Sequence, residues 1–344
     1  MVITLFNGLS NLQVRGISKV ADELARHLRG QGHTVHEVKI PNALYFKSSL
    51  IRLLMLILFQ QFVTPVVALK TRSQLIIDPY NGYPAMATFF IRTKYFIHDY
   101  TPFYRKLWFL RPATLYQFIL LKLDSLVPLA EAYHDALGIE TPHFLHRSVT
   151  PRVFPLIVDP LDTSESDFFD KYVRDTFTGG GANCLLLTTI SGTGWNKDFG
   201  GLVDLLRSLK RPFLLVAFGF GERGVEHEEI LTQSNLQSHV LTVGFVEEAA
   251  IATTIRNSEL FVFHSLREGF GRPIIEALQL KKLVITDYAP VVGILSPEAM
   301  QNVFVYQTKD EFQRAFEMAL ARKYIDFSTM YRTGIDNSIE EFLK

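Results

Sequence analysis

The chain has 344 residues, 48% of them hydrophobic, and its 35 basic side chains are balanced by 35 acidic ones. That length suggests two domains of roughly 150 residues each, while the charge balance argues against a polybasic nucleic-acid surface or an acidic tail. The single cysteine, Cys184, rules out an internal disulfide and fits a reducing, cytoplasmic compartment.

The first segment, MVITLFNGLSN, has no basic start and only a short apolar stretch, so it reads as a first strand rather than a signal peptide. ISKVADELARHLRGQG then carries helical periodicity and closes on Gly30 and Gly32, and HTVHEVKI alternates like a strand. Ser48 to Leu69 is the most apolar run of the chain, but Arg52, Gln60, Gln61 and Pro65 interrupt it. A membrane-spanning helix wants about 20 predominantly apolar residues. A buried or membrane-surface helix is therefore expected, which leaves peripheral contact with the inner face of a membrane open. QLIID and KYFIHD read as further strands, each ending in an acidic residue; Asp78, in IIDPYNGYP, reads as a strand-end turn residue.

Between Pro151 and Gly181 the pattern weakens, and PLDTSESDFFDKYVRDTFTGGG reads as a linker. Alternation then resumes with NCLLLTTI, a helix in FGGLVDLLRSL, PFLLVAFG, HVLTVGF, ELFVFHS, a helix in PIIEALQL, and KLVITD. Strands separated by helical runs of this length imply parallel sheets covered on both faces. Two such series predict two Rossmann-like α/β domains, over residues 1–160 and 161–325. A last segment, 326–344, follows them.

Sheets of this kind bind ligands at the carboxyl ends of their strands, which directs attention to HSLREGFGRPIIEAL. Here ELFVF is the strand, HSLREGFG the loop, and Pro273 falls in the first turn of the next helix, a favoured place for proline. Gly269 and Gly271 permit positive φ and close approach of a ligand to the backbone, and a helix start suits a phosphate. Glu276, one turn into the helix, can accept hydrogen bonds from a vicinal diol such as ribose. Glu268, on the loop, would face whatever lies beyond the phosphates. On spacing alone, a helix-capping Glu276 and a solvated Glu268 stand as an equal reading.

Glu268 and Glu276, with seven residues between them, resemble the signature of retaining GT-B glycosyltransferases, in particular glycosyltransferase family 4. The likeness runs from His239 to Asp287 and extends to VRGISKVADELARHL and IHDYTPFY in the first half. It implies GT-B architecture: an acceptor-binding and a nucleotide-sugar-binding domain facing each other across a cleft, with segment 326–344 crossing back to the first domain through a helix near Ile339 to Leu343. Glu276 would hold the ribose hydroxyls, and Glu268, with the amides of Gly269, Phe270 and Gly271, would engage the transferred sugar. Arg272 and Pro273 would lie at the diphosphate. Lys197, in GWNKDFGG, would neutralise the leaving diphosphate. The His98-Asp99 pair would sit beside the sugar and the acceptor hydroxyl, and Gly16, with Arg15 and Ile17, would close over the diphosphate from the first domain. The glycine-rich turn at Gly219 and the Gly244-Phe245-Val246 turn fall at family positions near the nucleotide.

The resemblance also implies a mechanism without a resident metal or cofactor, the donor being a nucleoside-diphosphate sugar. The partners implied are that donor and a glycan or lipid-linked glycan acceptor, mannose or a related hexose or deoxyhexose being the first donor expected, in surface polysaccharide synthesis; nucleic acid is not. No His, Cys or Asp cluster with metal-ligand spacing is visible. Many relatives carry an arginine where this chain has Gly192 or Asn196, so Arg272 or Arg223 is expected to supply that charge. His264 stands where relatives often have proline, a neutral change. Two other readings compete. One is a catalytically inactive GT-B scaffold. The other is an NAD-dependent oxidoreductase, suggested by GFGERG (Gly219 to Gly224) but undermined because no acidic residue ends the following strand.

Overall fold

The computed structural model describes residues 1–8, 17–41, 49–80, 82–98, 100, 103, 108–127, 129–136, 139, 142–145, 151–179, 184–191, 195–220, 225–287, 289–332 and 339–344. The chain divides into two compact units, Met1–Val158 with Gly334–Lys344, and Asp159–Thr333.

The first unit holds a parallel sheet of β1 (Val2–Phe6), β2 (Thr34–Val38), β3 (Leu75–Asp78), β4 (Arg92–Ile97), β5 (Ala130–His134) and β6 (Arg152–Val153), in the order β2-β1-β3-β4-β5-β6. Ile3 pairs with Leu75 and Leu5 with Ile77, so β1 and β3 end side by side. The helix α1 (Ile17–Gly30) joins β1 to β2. Between β2 and β3, α2 (Ser49–Leu58) runs through a π-helical turn (Phe59–Val63) into α3 (Thr64–Lys70). The helix α4 (Pro112–Leu123) precedes β5, and its Leu120 and Leu121 join Tyr83, Tyr95 and Tyr100 in the core. These buried tyrosines keep their polar tips paired: Tyr83 donates to the Leu120 carbonyl at 2.8 Å and Tyr95 to Asp124 Oδ1 at 2.6 Å.

The second unit repeats the plan with β7 (Leu185–Ile190), β8 (Phe213–Phe218), β9 (Val240–Val243), β10 (Leu260–Phe263), β11 (Val284–Thr286) and β12 (Val303–Val305), all parallel in the order β12-β11-β10-β7-β8-β9. Every residue of β8 and β10 is buried, as a sheet covered on both faces demands. The segment read as a linker is instead helical: a π turn (Phe169–Val173) leads into α5 (Arg174–Gly179). Phe169 and Val173 are buried there, and Phe168 lies 6.0 Å from the Phe218 ring. The apolar spacing of Phe169 and Val173 is one helical turn, hidden in the sequence by the polar residues around it.

The covering helices are α6 (Phe199–Leu206), α7 (Val225–Ser234), α8 (Glu248–Asn257), α9 (Arg272–Gln279), the short α10 (Pro297–Met300) and α11 (Lys309–Leu320). A capping box starts α11: Glu311 N–H donates to Thr308 Oγ1, while the Glu311 carboxylate accepts from Thr308 N–H. Residues 325–332 stay on this unit, where Asn302 donates to the Ile325 carbonyl and Arg332 N–H to that of Ile294. The last helix, α12 (Ile339–Leu343), packs on the first unit. Its Phe342 lies 5.5 Å from Phe96 and 4.5 Å from Phe154, and its carbonyl accepts from the buried Lys94 ammonium.

Candidate functional site

In the second sheet β7 lies between β8 and β10, so the connections leaving β7 and β10 part in opposite directions and open a crevice at their carboxyl ends. Side-chain bonds staple these two loops together. Ser265 Oγ donates to the Asn196 carbonyl at 2.8 Å, Leu266 N–H donates to the same carbonyl at 2.8 Å, and Asn196 Nδ2 donates to the Arg267 carbonyl at 3.0 Å. Asn196, read from the sequence as the place of a missing cation, is thus the clip that holds the turn carrying Lys197 against the loop carrying Glu268. Lys197 Nζ reaches Glu268 Oε2 at 2.5 Å and stands 5.3 Å from the centre of the Phe263 ring. Both side chains are about four-fifths buried, at 20% and 16% exposure.

The same loop ends on Gly271, whose φ of +96° caps α9 in the left-handed region. A β-carbon there would also come within 3.1 Å of Val291 Cγ1 and 3.2 Å of Ala289 Cβ, so glycine is required twice over. Phe270 is buried, and its carbonyl accepts from Val291 N–H at 3.0 Å, fixing the path of Gly269 to Gly271. Pro273 occupies the first turn of α9. Glu276 follows one turn in, and Arg272 reaches its Oε1 at 3.9 Å, both side chains being 10% exposed. The strand-end loop and helix start therefore gather Lys197, Glu268, Gly271, Arg272 and Glu276 at one edge of the unit.

Beneath them lies a cluster the sequence did not announce. His264 Nδ1 sits 3.0 Å from Asp287 Oδ2 and 2.8 Å from the Tyr306 hydroxyl, and its Nε2 sits 3.3 Å from Asp198 Oδ2. Burial works against a charged ring, yet Asp287 and then Asp198 outweigh it and hold His264 above its ordinary value. Asp198 also caps α6, accepting from Gly201 N–H at 3.2 Å, and Asp287 accepts from Ser265 N–H at 2.9 Å. The histidine therefore ties the roots of both loops together. The sequence signal was present: one aspartate directly follows Lys197 and the other ends the strand after α9, but their meeting at His264 depends on three separate elements.

The glycine-rich turn after β8 is brought to the end of β9: Gly219 has φ +98°, and the N–H groups of Gly219 and Phe220 both donate to the Val243 carbonyl, at 3.1 and 3.0 Å. Val246, half-buried, follows on that β9 edge. Gly16, Asp99, Gly192 and Arg223 lie outside the described residues.

In the first unit the strand ends carry Asn7, Asp78, His98 and Asp135. His98 is buried; its Nδ1 lies 2.6 Å from Asp135 Oδ2 and its Nε2 2.5 Å from the Pro79 carbonyl. A carbonyl only accepts, so Nε2 carries a proton in that contact and is not a free base there. The carboxylate at His98 Nδ1 is that of Asp135, which closes β5. Asp78 is fully buried and accepts from Gln60 Nε2 at 2.7 Å and from Tyr80 N–H at 3.0 Å. Burial, partly offset by those bonds, pushes its carboxyl up to about 8.

Among the described residues no group of three or more His, Cys, Asp or Glu side chains gathers as a metal site. The two carboxylates at His264 face opposite ring nitrogens and do not converge on one point.

Residues 186–327 match the family model described as glycosyl transferases group 1. No curated protein sequence matches the chain. Solved structures of the same fold include sucrose-phosphate synthase from Thermosynechococcus elongatus, at 13% identity over 93% of this chain and 90% of that one, with a TM-score of 0.61. WaaG, a glycosyltransferase involved in lipopolysaccharide biosynthesis, is similar at 12% identity over 94% and 91%, TM-score 0.62. HepE from Anabaena in complex with UDP-glucose is similar at 17% identity over 94% and 95%, TM-score 0.61. The two Rossmann-like units in series are a GT-B fold.

Proposed function

We propose that this chain is a retaining, metal-independent glycosyltransferase of the family 4 type. It moves a hexose or deoxyhexose, mannose-type first, from a nucleoside-diphosphate sugar to a hydroxyl of a glycan or lipid-linked glycan in surface polysaccharide synthesis. The observation that carries this reading is the meeting of Lys197 and Glu268 at the switch point of the unit that matches the group 1 model. The names of the similar structures, a lipopolysaccharide glycosyltransferase and a complex with UDP-glucose among them, point the same way.

In this reading the bond from the sugar's anomeric carbon to the phosphate oxygen breaks, and a bond to the acceptor oxygen forms on the same face. The acceptor proton passes to the departing phosphate. Lys197 supplies the positive charge that stabilises that phosphate, and such charge stabilisation is usually the largest single catalytic contribution. Glu268 orients the sugar hydroxyls, Glu276 holds the ribose diol, and the α9 start with Gly269 to Gly271 receives the diphosphate. Arg272, buried beside Glu276, is the second cation. His98, with Nδ1 on Asp135 and Nε2 on the Pro79 carbonyl, would orient the acceptor hydroxyl only by exchanging the carbonyl contact for it.

Thermal stability against UDP, GDP, ADP, CDP and NAD, each with and without chelator, tests the donor assignment. Ligand at about a hundred times its dissociation constant adds roughly 2.7 kcal/mol. A chelator-insensitive shift with one nucleoside diphosphate, weakened in Glu276→Ala, supports the reading. A shift with NAD alone overturns it. Nucleotide binding without turnover on any acceptor would favour a non-catalytic scaffold instead.

A further inference from the structure

Helix 49–70 presents a more apolar side to solvent than to the unit. Its inward side mixes polar and apolar residues: Gln60 and Thr64 are buried along with Leu53 and Ala68, Gln60 donates to Asp78 at 2.7 Å, and Gln61 donates to the Tyr83 carbonyl at 2.7 Å while accepting from Ala85 N–H at 2.9 Å. Its outward side is apolar, with Leu54, Leu58, Phe62, Val66 and Leu69 exposed one helical turn apart, Phe62 by 61% and Leu69 by 62%. The neighbouring α4, reached through the Gln60 and Gln61 contacts to Tyr116, turns Leu115, Ile119 and Leu123 outward at the same spacing. Apolar stripes on two adjoining helices exceed the scattered exposed leucines of an ordinary surface.

Charge identifies what covers them. Residues 43–128 contain ten lysines and arginines against three aspartates and no glutamate, in a chain that is neutral overall, and of the ten Arg92 and Lys94 are paired with Glu131 on the next strand. Lys70 and Arg72 stand exposed at the end of the first helical stretch, and Arg111 and Lys122 at the start and last turn of α4. An apolar stripe with basic residues at its ends fits the boundary between headgroups and acyl chains of an anionic bilayer. The stretch Leu53–Lys70 is long and apolar enough to cross a membrane, with mean hydropathy 1.8. A span would strip Gln60 and Gln61 of their partners Asp78, Tyr83, Ala85 and Tyr116, so the helix lies along the surface.

We propose that this face of the first unit docks in the plane of an anionic lipid bilayer, with helix 49–70 and α4 seated at the interface. The proposal stands apart from the donor site, since every residue it uses lies in the first unit. The test is sedimentation of the full chain with vesicles of phosphatidylcholine, with and without phosphatidylglycerol. Binding should require phosphatidylglycerol and weaken at high salt. The variant L58Q/F62Q/V66Q should lose partitioning on the order of a hundredfold, because three large side chains no longer enter the acyl boundary. Its nucleotide-induced thermal shift, or failing that its unfolding curve, should match wild type and so report an intact fold. K70E/R111E should lose the preference for anionic lipid. Failure of wild type to sediment with phosphatidylglycerol vesicles overturns the proposal, as does equal binding by the triple variant. A lipid-free dimer of wild type that the triple variant dissolves also overturns it, assigning the face to a second copy of the chain.

Discussion

Lys197 Nζ and Glu268 Oε2 meet at 2.5 Å although 71 residues separate them in the chain. The contact exists because Asn196 and Ser265 bind the two loops backbone to side chain, so that neither charge is free to swing away from the β7–β10 edge. In the proposed reading a diphosphate arriving there would compete with Glu268 for the ammonium, which would make the two side chains partners in one event. Lys197→Ala and Glu268→Ala should each lower kcat/KM by about a hundredfold to a thousandfold, the range seen for lost transition-state charge partners. The double variant should fall well short of the product of the two losses, because residues in contact are coupled. Steady-state kinetics on the donor identified by thermal shift measures this. Strictly multiplicative losses would show that the two act separately.

Gly271 answers to geometry rather than charge. Its φ of +96° and the neighbours that a β-carbon would meet at 3.1 and 3.2 Å predict that Gly271→Ala costs about 1–3 kcal/mol, from the left-handed backbone and the displaced Val291. The loop would also be pushed off its path just where α9 begins. Nucleotide affinity should therefore fall along with the melting temperature, whereas an unaltered affinity would mean that the loop path is unimportant to the ligand.

His264 makes stability depend on pH in a definite direction. The Asp287 and Asp198 carboxylates hold the folded ring above the ordinary 6.5, against the pull of burial. A raised value means that the folded state keeps a proton the unfolded chain releases. The stabilisation is thus fully present below about pH 6.5 and is lost as pH rises through the folded value. Urea unfolding of wild type should show falling stability above about pH 6.5 relative to His264→Gln, which has no proton to lose. Parallel curves for the two proteins across that window would exclude this role.

How far the sequence disclosed all this follows from what each element is made of. The buried central strands, VITLF, LIID, FLLVAF and LFVF, announce themselves as apolar runs, and with the intervening helices they point to two doubly wound sheets. The strand AEAYH was not legible, because Glu131 on it bonds Arg92 at 2.9 Å and Tyr133, so a polar residue faces a partner that only the fold supplies. Likewise β6 and β12, two and three residues long, fall below any periodicity. Glu268 and Glu276 stood out because glycines and a proline mark their loop and helix start, and Lys197 through the family resemblance alone. His264 and Asp135 did not, since their meaning lies wholly in what they touch: two aspartates in one case, His98 in the other.

Phe342 ties the end of the chain to the first sheet. Its ring packs on Phe96, Tyr133 and Phe154 at 5.5, 5.0 and 4.5 Å, and its carbonyl accepts from Lys94. Lys94 is buried against its charge. Burial lowers its ammonium below the ordinary lysine range, and Glu131, 3.2 Å away, pulls the other way. Phe342→Ala should cost about 3–5 kcal/mol, the usual range for emptying an aromatic site in a core. Ending the chain at residue 338 should cost more, because Lys94 then also loses the Phe342 carbonyl and Arg92 loses that of Leu343 at 3.2 Å. Amide hydrogen exchange distinguishes this from general unfolding: β4 and β5 should lose protection while β7 and β8, in the other unit, keep theirs. Equal loss in both units would mean that α12 supports the whole chain rather than the sheet it touches.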